Sequence, residues 1–324
     1  MKKFLAILLA MVMVCSLSAV AFADYPDKPI LAINPWGAGG GTDNCLRAFC
    51  AALEKQLGVT ITVDNRTGAS GVTGHEAIAD ADPDGYTFGM ITWELASYLP
   101  MDMSEYTYEN YIPLCRVNTD AAAITVNTAW AKENNITDLA SFIDYCKAHP
   151  GEVKMGGSSA GSVWHVAGGY LMNATGIEIQ MVAYPDGAAS AVMAAAQNEI
   201  NGVTVSAAEA RSFVESGDLT MLAIMDTERN PVFPDVPTCE EQGFECLYAT
   251  QRGLGLPLGV GQDKFDVLSA ACAKAIEDPD FVEAMAALGQ KIDYMDGPTY
   301  GEYLAQAAID VPAAMAVVGL IDEE

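Results

Sequence analysis

Two stretches of this sequence are suited to hold a negatively charged group. Gly37-Ala38-Gly39-Gly40-Gly41 stands between an apolar run and an amphipathic one, with Thr42-Asp43 following. Gly156-Gly157-Ser158-Ser159-Ala160-Gly161-Ser162 takes the same place in the second half of the chain. Glycines let a backbone close on a ligand with no Cβ in the way. Where such a turn opens a helix, unbonded N–H groups and the positive end of the helix dipole form an anion cradle. Asp43 is unexpected beside an anion, but a first-turn carboxylate can accept backbone N–H groups and stiffen the loop. One Gly-rich turn is common to every doubly wound fold. Two, each in its own βαβ unit, can face each other across a cleft at the carboxyl ends of their strands. The candidate binding residues are therefore Gly39, Gly40, Gly41, Thr42 and Asp43 on the first loop, and Ser158, Ser159, Ala160, Gly161 and Ser162 on the second. His165, just inside the second helix, packs against that loop or orients it.

Three sharper motifs compete. Gly37 and Gly39 begin a dinucleotide fingerprint and Asp64 stands where a ribose-binding acid would, but the third glycine is Thr42. Gly157-Ser158-Ser159-Ala160-Gly161 has the form of a nucleophile elbow. A serine hydrolase of that fold needs its histidine late in the chain, and the three histidines are His75, His149 and His165. That enzyme stays only as an alternative. Asp80-x-Asp82-x-Asp84-Gly85 resembles a calcium loop, yet its twelfth position is Ile91 where a bidentate glutamate is required. No catalytic residue, metal or cofactor is expected.

The elements that would carry these loops alternate along the chain. Ile30 to Asn34 reads as a buried strand, and Thr42-Asp43 caps a helix to about Leu57, stopped by Gly58. A strand at Val59–Val63, a helix at Ser70–Asp80 and a strand at Tyr86–Thr92 complete a βαβαβ order, which implies a parallel sheet. The pattern restarts with a strand at Ala122–Val126 and a helix at Asp138–His149 capped by Thr137. A strand at Val153–Gly156, a helix to about Thr175, a strand at Ile179–Ala183 and a helix at Ala188–Gln197 follow. From Gln262 onward the chain reads as mostly helical, with Pro312 kinking the last helix.

The amino-terminal end fixes the compartment. Lys2 and Lys3, an apolar stretch from Phe4 to Val20 and Ala21-Phe22-Ala23 have the layout of a secretory leader cleaved after Ala23. Cys15 lacks the small residue that must precede a lipidated cysteine. The rest, about 300 residues, suits two domains, and no later stretch is long and apolar enough to span a membrane. The formal net charge of -27 repels nucleic acid and anionic lipid, so any anion site must be built locally. Seven cysteines follow the leader, an odd number without C-x-x-C spacing, and buried thiols are favoured over bridges and zinc.

Five segments carry a family resemblance: Tyr25-Pro26-Asp27-Lys28-Pro29-Ile30, the loop from Asn34 to Asp43, Asp64-Asn65-Arg66-Thr67-Gly68-Ala69-Ser70-Gly71, Pro83-Asp84-Gly85-Tyr86-Thr87 and Phe233-Pro234-Asp235-Val236-Pro237-Thr238. In their order and spacing the chain resembles the substrate-binding components of tripartite tricarboxylate transporters, often called the Bug family, over essentially all of its mature length. The resemblance implies a periplasmic-binding-protein-like (Venus flytrap) α/β fold: two doubly wound α/β lobes joined by two crossing strands. The crossings are expected near Ala121–Val126 and Arg252–Pro257. Residues 1–23 would be the signal peptide, 24–121 plus 257–324 the first lobe and 122–256 the second, with the ligand cleft between them. It implies a monomeric, extracytoplasmic solute-binding protein on the periplasmic or extracellular face of the cytoplasmic membrane. That protein would grip the carboxylate of a small solute between the two Gly-rich loops and deliver it to integral-membrane transporter subunits. A sensor feeding a signalling partner would use the same residues.

Departures from the family pattern bear on the ligand. Tyr184-Pro185-Asp186-Gly187 carries an acid where the family commonly has tyrosine, a basic residue or proline, and then glycines. Trp93-Glu94 replaces small hydroxyl residues after the third strand. Trp36, Trp93 and Trp164 fall on or beside cleft loops. Trp36, Trp93, Glu94, Tyr184 and Asp186 thus join the candidate site. The expectation is a carboxylate cradle facing an aromatic, acidic far end. This suits an aromatic or apolar monocarboxylate or a zwitterionic amino acid better than citrate.

Overall fold

The computed structural model describes residues 25–317 and 320–322; the leader and its cleavage site lie outside them. The chain opens with β1 (Ile30–Asn34), α1 (Gly41–Leu57), β2 (Ile61–Asn65), α2 (Val72–Ala79) and β3 (Thr87–Thr92). β1 is buried along nearly all its length, as a run apolar on both faces demands. It pairs in parallel with β2 and β3. α1 buries Cys45, Leu46, Phe49, Cys50 and Leu53, an i, i+1, i+4, i+5, i+8 stripe against the sheet. Gly58, in the left-handed region at φ 72°, ends it. Its N-cap is Gly40, not Thr42 or Asp43, which lie inside the first turn.

β4 (Tyr111–Ala121) leaves this sheet and β5 (Ala123–Asn127) enters a second one, with Ala122 between them. There follow α3 (Thr128–Glu133), α4 (Leu139–Ala148), β6 (Lys154–Gly156), α5 (Val163–Thr175), β7 (Gln180–Val182), α6 (Ala188–Ala196), β8 (Gly202–Val203), α7 (Ala207–Ser216) and β9 (Leu219–Ile224). Asp138, rather than Thr137, caps α4. Its carboxylate accepts the Ser141 N–H at 2.8 Å while the Ser141 hydroxyl accepts the Asp138 N–H at 3.1 Å, a reciprocal pair. The chain then returns along β10 (Ala249–Pro257) and ends with α8 (Gln262–Ala275), α9 (Pro279–Leu288), β11 (Lys291–Asp296) and α10 (Gly297–Val317).

The strand orders are β11-β4-β10-β3-β1-β2 and β7-β6-β8-β5-β9. Each is the sheet of one α/β lobe. The βαβαβ strands β1, β2 and β3 are parallel, as expected, but neither sheet is parallel throughout. β10 runs antiparallel to both β3 and β4, because it re-enters the first lobe from the opposite end, and β5 runs antiparallel to β8 and β9. The return boundary also differs from the expected one. β10 lies in the first sheet from Ala249 onward, so the change of lobe falls at Tyr248, ahead of Arg252–Pro257. The two crossings are tied together there: the Ala122 N–H donates to the Tyr248 carbonyl and the Tyr248 N–H to the Met225 carbonyl, both at 2.9 Å.

Each sheet has its own apolar core. One first-lobe cluster includes Phe49, Phe88, Leu254 and Phe281, and another includes Ile33, Ile78, Tyr300 and Leu304. The second-lobe core includes Phe142, Leu171, Val203 and Ile224, and it also takes in Trp93, Val311 and Met315. α10 is therefore seated in both lobes. It continues through Pro312, where a helical hydrogen bond is missing.

Candidate functional site

The β1–α1 loop is fixed from behind by Asp43. One carboxylate oxygen accepts the Gly39 N–H at 2.9 Å and Arg47 Nε at 2.9 Å; the other accepts amide protons from Asn34 at 3.1 Å and Asn65 at 2.8 Å. Burial alone would raise the Asp43 carboxyl, but these bonds outweigh it and hold the group below its ordinary value. Asp43 thus shapes the loop and does not reach the cleft. The second loop is knit by its own hydroxyls: Ser158 Oγ and Ser162 Oγ are 2.5 Å apart, and Ser162 Oγ donates to the Ser159 carbonyl at 2.6 Å.

Between the two loops lies a cleft of about 570 Å3. Of the residues expected from sequence, it is lined by Trp36, Gly39, Gly40, Gly41, Thr42, Glu94, Ser158 and Asp186. Trp93 does not line it: the indole is buried in the second-lobe core, its ring edge-on to Tyr248 with centroids 6.1 Å apart. Ser159, Ala160, Gly161, Ser162, His165 and Tyr184 are not among the residues that line it. Gly161 is needed there for another reason. Its φ of 71° is left-handed, and a Cβ would collide with Met101. Tyr184 packs on the second-lobe core. No histidine hydrogen-bonds Ser158 or Ser159 among the described residues, so the elbow has no base.

The cleft also exposes groups that sequence reading missed. Arg252, on β10, is 3% exposed. Its Nε donates to Thr42 Oγ1 at 3.0 Å and its Nη1 to Asp120 at 3.1 Å. A Cβ on Gly41 would stand 2.9 Å from Arg252 Nη2 and 3.2 Å from Gln290 Nε2, so only glycine lets the loop approach these two side chains. Gln290, 5% exposed, donates from Nε2 to the Gly41 carbonyl at 2.9 Å. Its Oε1 is buried with no partner. Glu209, in the first turn of α7, accepts the Ser206 hydroxyl at 3.5 Å and lines the cleft. Loss of water pushes its carboxyl up to about 7, against the pull of Arg252 and with the push of Asp120. Glu94, 4% exposed, accepts the Thr92 hydroxyl at 2.5 Å, and burial raises it too. Burial would lower the Arg252 guanidinium, but Asp120 and Glu209 more than compensate and keep it charged. The one available signal was an arginine at the head of the apolar run Gly253-Leu254-Gly255-Leu256, since a cation drawn into a buried strand must have buried partners.

The family model for the tripartite tricarboxylate transporter family receptor matches residues 45–312. This chain belongs to that receptor family. The receptor is similar to BugT of Bordetella pertussis, with 31% identity over 300 residues, covering 89% of each chain. It is also similar to the crystal structure of a TctC solute binding protein from Polaromonas, solved with no ligand: 31% identity, 90% of this chain and 99% of that one, TM-score 0.71. An R. palustris protein solved with adipate has the same fold at 22% identity, with 91% and 99% of the two chains covered and a TM-score of 0.84. The family is one of solute-binding receptors, not enzymes.

Proposed function

We propose that this receptor is exported, captures a small carboxylate-bearing solute by closing its two lobes, and delivers it to the membrane subunits of a tripartite tricarboxylate-type transporter. One observation carries the ligand class: a cleft between the lobes whose walls include Gly39–Thr42 from one and Ser158 from the other. Backbone N–H groups and hydroxyls on those loops would accept a carboxylate where water is scarce and hydrogen bonds are strong. Adipate in the R. palustris neighbour is in keeping with such a ligand. The sheets are the lobes, with hinges at Ala122 and Tyr248. The basic and apolar leader and its Ala21-Phe22-Ala23 site support export.

The test is a thermal-shift screen of residues 24–324 against amino acids and mono-, di- and tricarboxylates. A ligand at about 100 times its Kd adds roughly 2.7 kcal/mol, enough to raise the melting temperature by a few degrees. A shift with one class of acid, lost in Thr42→Ala and reduced in Ser158→Ala, is the expected outcome. No shift with any acid would withdraw the carboxylate assignment.

A further inference from the structure

The cleft floor holds more charge than one carboxylate would satisfy. Arg252 spends two arms on Thr42 and Asp120, and Nη2 makes no hydrogen bond among the described residues. It lies beside Gly41, where the loop has no side chain. That arm is a donor for an anion. The acceptors next to it are also unspent. Gln290 Oε1 is a buried acceptor with no partner. A flip of the amide would not repair this, because it would set Oε1 against the Gly41 carbonyl that Nε2 now satisfies. Glu209 has no ion pair within 4 Å among the described residues, although it faces the same cleft. Glu94 adds another buried acid to the wall. Arg252 and Asp120 neutralise each other, and what remains is rich in acceptors, with two carboxyls that burial holds towards their neutral form and that a cation beside them would ionise.

A buried acceptor without a donor has lost its water and gained nothing in return, a cost to the ligand-free site. A ligand bringing only a carboxylate would leave that cost in place and would offer Glu209 and Glu94 no cation to pair with. A ligand that also brings a protonated amine would remedy both. Part of the remaining wall is apolar, with Trp36, Val163 and Trp164, and could face a hydrocarbon or aromatic body.

We propose that the ligand is a zwitterion of the amino-acid type, its carboxylate held by Arg252 Nη2 and the Gly41 loop and its ammonium by Glu209 and Gln290 Oε1. This rests on the receptor assignment and narrows it. Arg252, Glu209 and Gln290 then set specificity: the receptor should discriminate an amino acid from the same acid without its amine.

The experiment is titration calorimetry on matched sets. Phenylalanine would be compared with phenylpropionate and phenylethylamine, and leucine with isocaproate and isoamylamine. The comparison would be repeated for whichever amino acid stabilises the protein most. The amino acid is expected to bind at least about tenfold tighter than its deaminated acid, the factor one hydrogen-bonded charge confers. In Glu209→Gln and Gln290→Met that ratio should fall towards one. Because it is a ratio of affinities within one preparation, a partly unfolded variant leaves it unchanged. Equal or tighter binding of the deaminated acid overturns the proposal and leaves the carboxylate receptor standing. So does a ratio unaltered in both variants. If neither acids nor amino acids bind, the carboxylate assignment falls, and this proposal with it.

Discussion

At the scale of single residues the cleft is a set of commitments made around Gly41. Gly41→Ala should preserve the fold yet weaken ligand binding by tenfold or more, since the new methyl would press on Arg252 Nη2 and Gln290 Nε2. Calorimetry beside an unchanged circular dichroism spectrum would check it; full affinity would show that the loop does not approach the ligand there. Glu209 gives a prediction in pH. Its folded carboxyl titrates at about 7, above its ordinary value, because burial outweighs Arg252 on β10 while Asp120 on β4 adds repulsion. The folded state therefore holds a proton that the unfolded chain has released. The stability this confers is complete below the ordinary glutamate pKa and is lost as pH rises through about 7. Glu209→Gln has no such dependence. The ligand-free melting temperature of the variant should gain on wild type between about pH 5 and pH 8, and a constant gap would show that the carboxyl is not desolvated.

At the scale of elements the β1–α1 loop depends on one carboxylate with four donors. Removing it in Asp43→Ala strands the Asn34 amide and the Gly39 N–H and leaves the Asn65 amide only the Trp36 carbonyl. A loss of about 2–4 kcal/mol is expected by urea denaturation, together with weaker binding as the loop loosens. Much of this element was legible in sequence, because glycines, a stop at Gly58 and an apolar stripe are local signals. The same holds for β6, the second loop and α5. What escaped reading was set at long range. β10 was expected only as a crossing over Arg252–Pro257, and its place in the middle of a sheet, beside partners more than a hundred positions away, was not legible. β11 alternates charge and apolar residues in a region that otherwise reads as helix. Asp120, Glu209 and Arg252 come from three separate elements and Gln290 from the connection between α9 and β11, and nothing near any of them in sequence announces the other three. Trp93 was assigned to the cleft because it follows a strand end, but the strand end faces the second-lobe core, and burial of the indole prevailed.

At the scale of the whole molecule the charge of -27 sets how a ligand arrives. A free anion is repelled at distances beyond the cleft, and added salt screens that repulsion. The association rate of a carboxylate without an amine should therefore rise with ionic strength, while that of a zwitterion should stay nearly flat. Stopped-flow tryptophan fluorescence, with Trp36 and Trp164 on the cleft wall, can read both. A carboxylate rate that falls with salt would mean that a local positive field outweighs the net charge.

The last helix has a mechanical consequence. Tyr300 and Leu304 are seated in the core of one lobe, and Val311 and Met315 in that of the other. A rod clamped at both ends carries torque, so the proposed rotation about Ala122 and Tyr248 would load it. The strain would gather where the rod is weakest, at Pro312, which lacks a rung of the helical ladder. On that proposal the helix would act as a leaf spring laid across a hinge, and its stiffness would help set the angle between the two lobes.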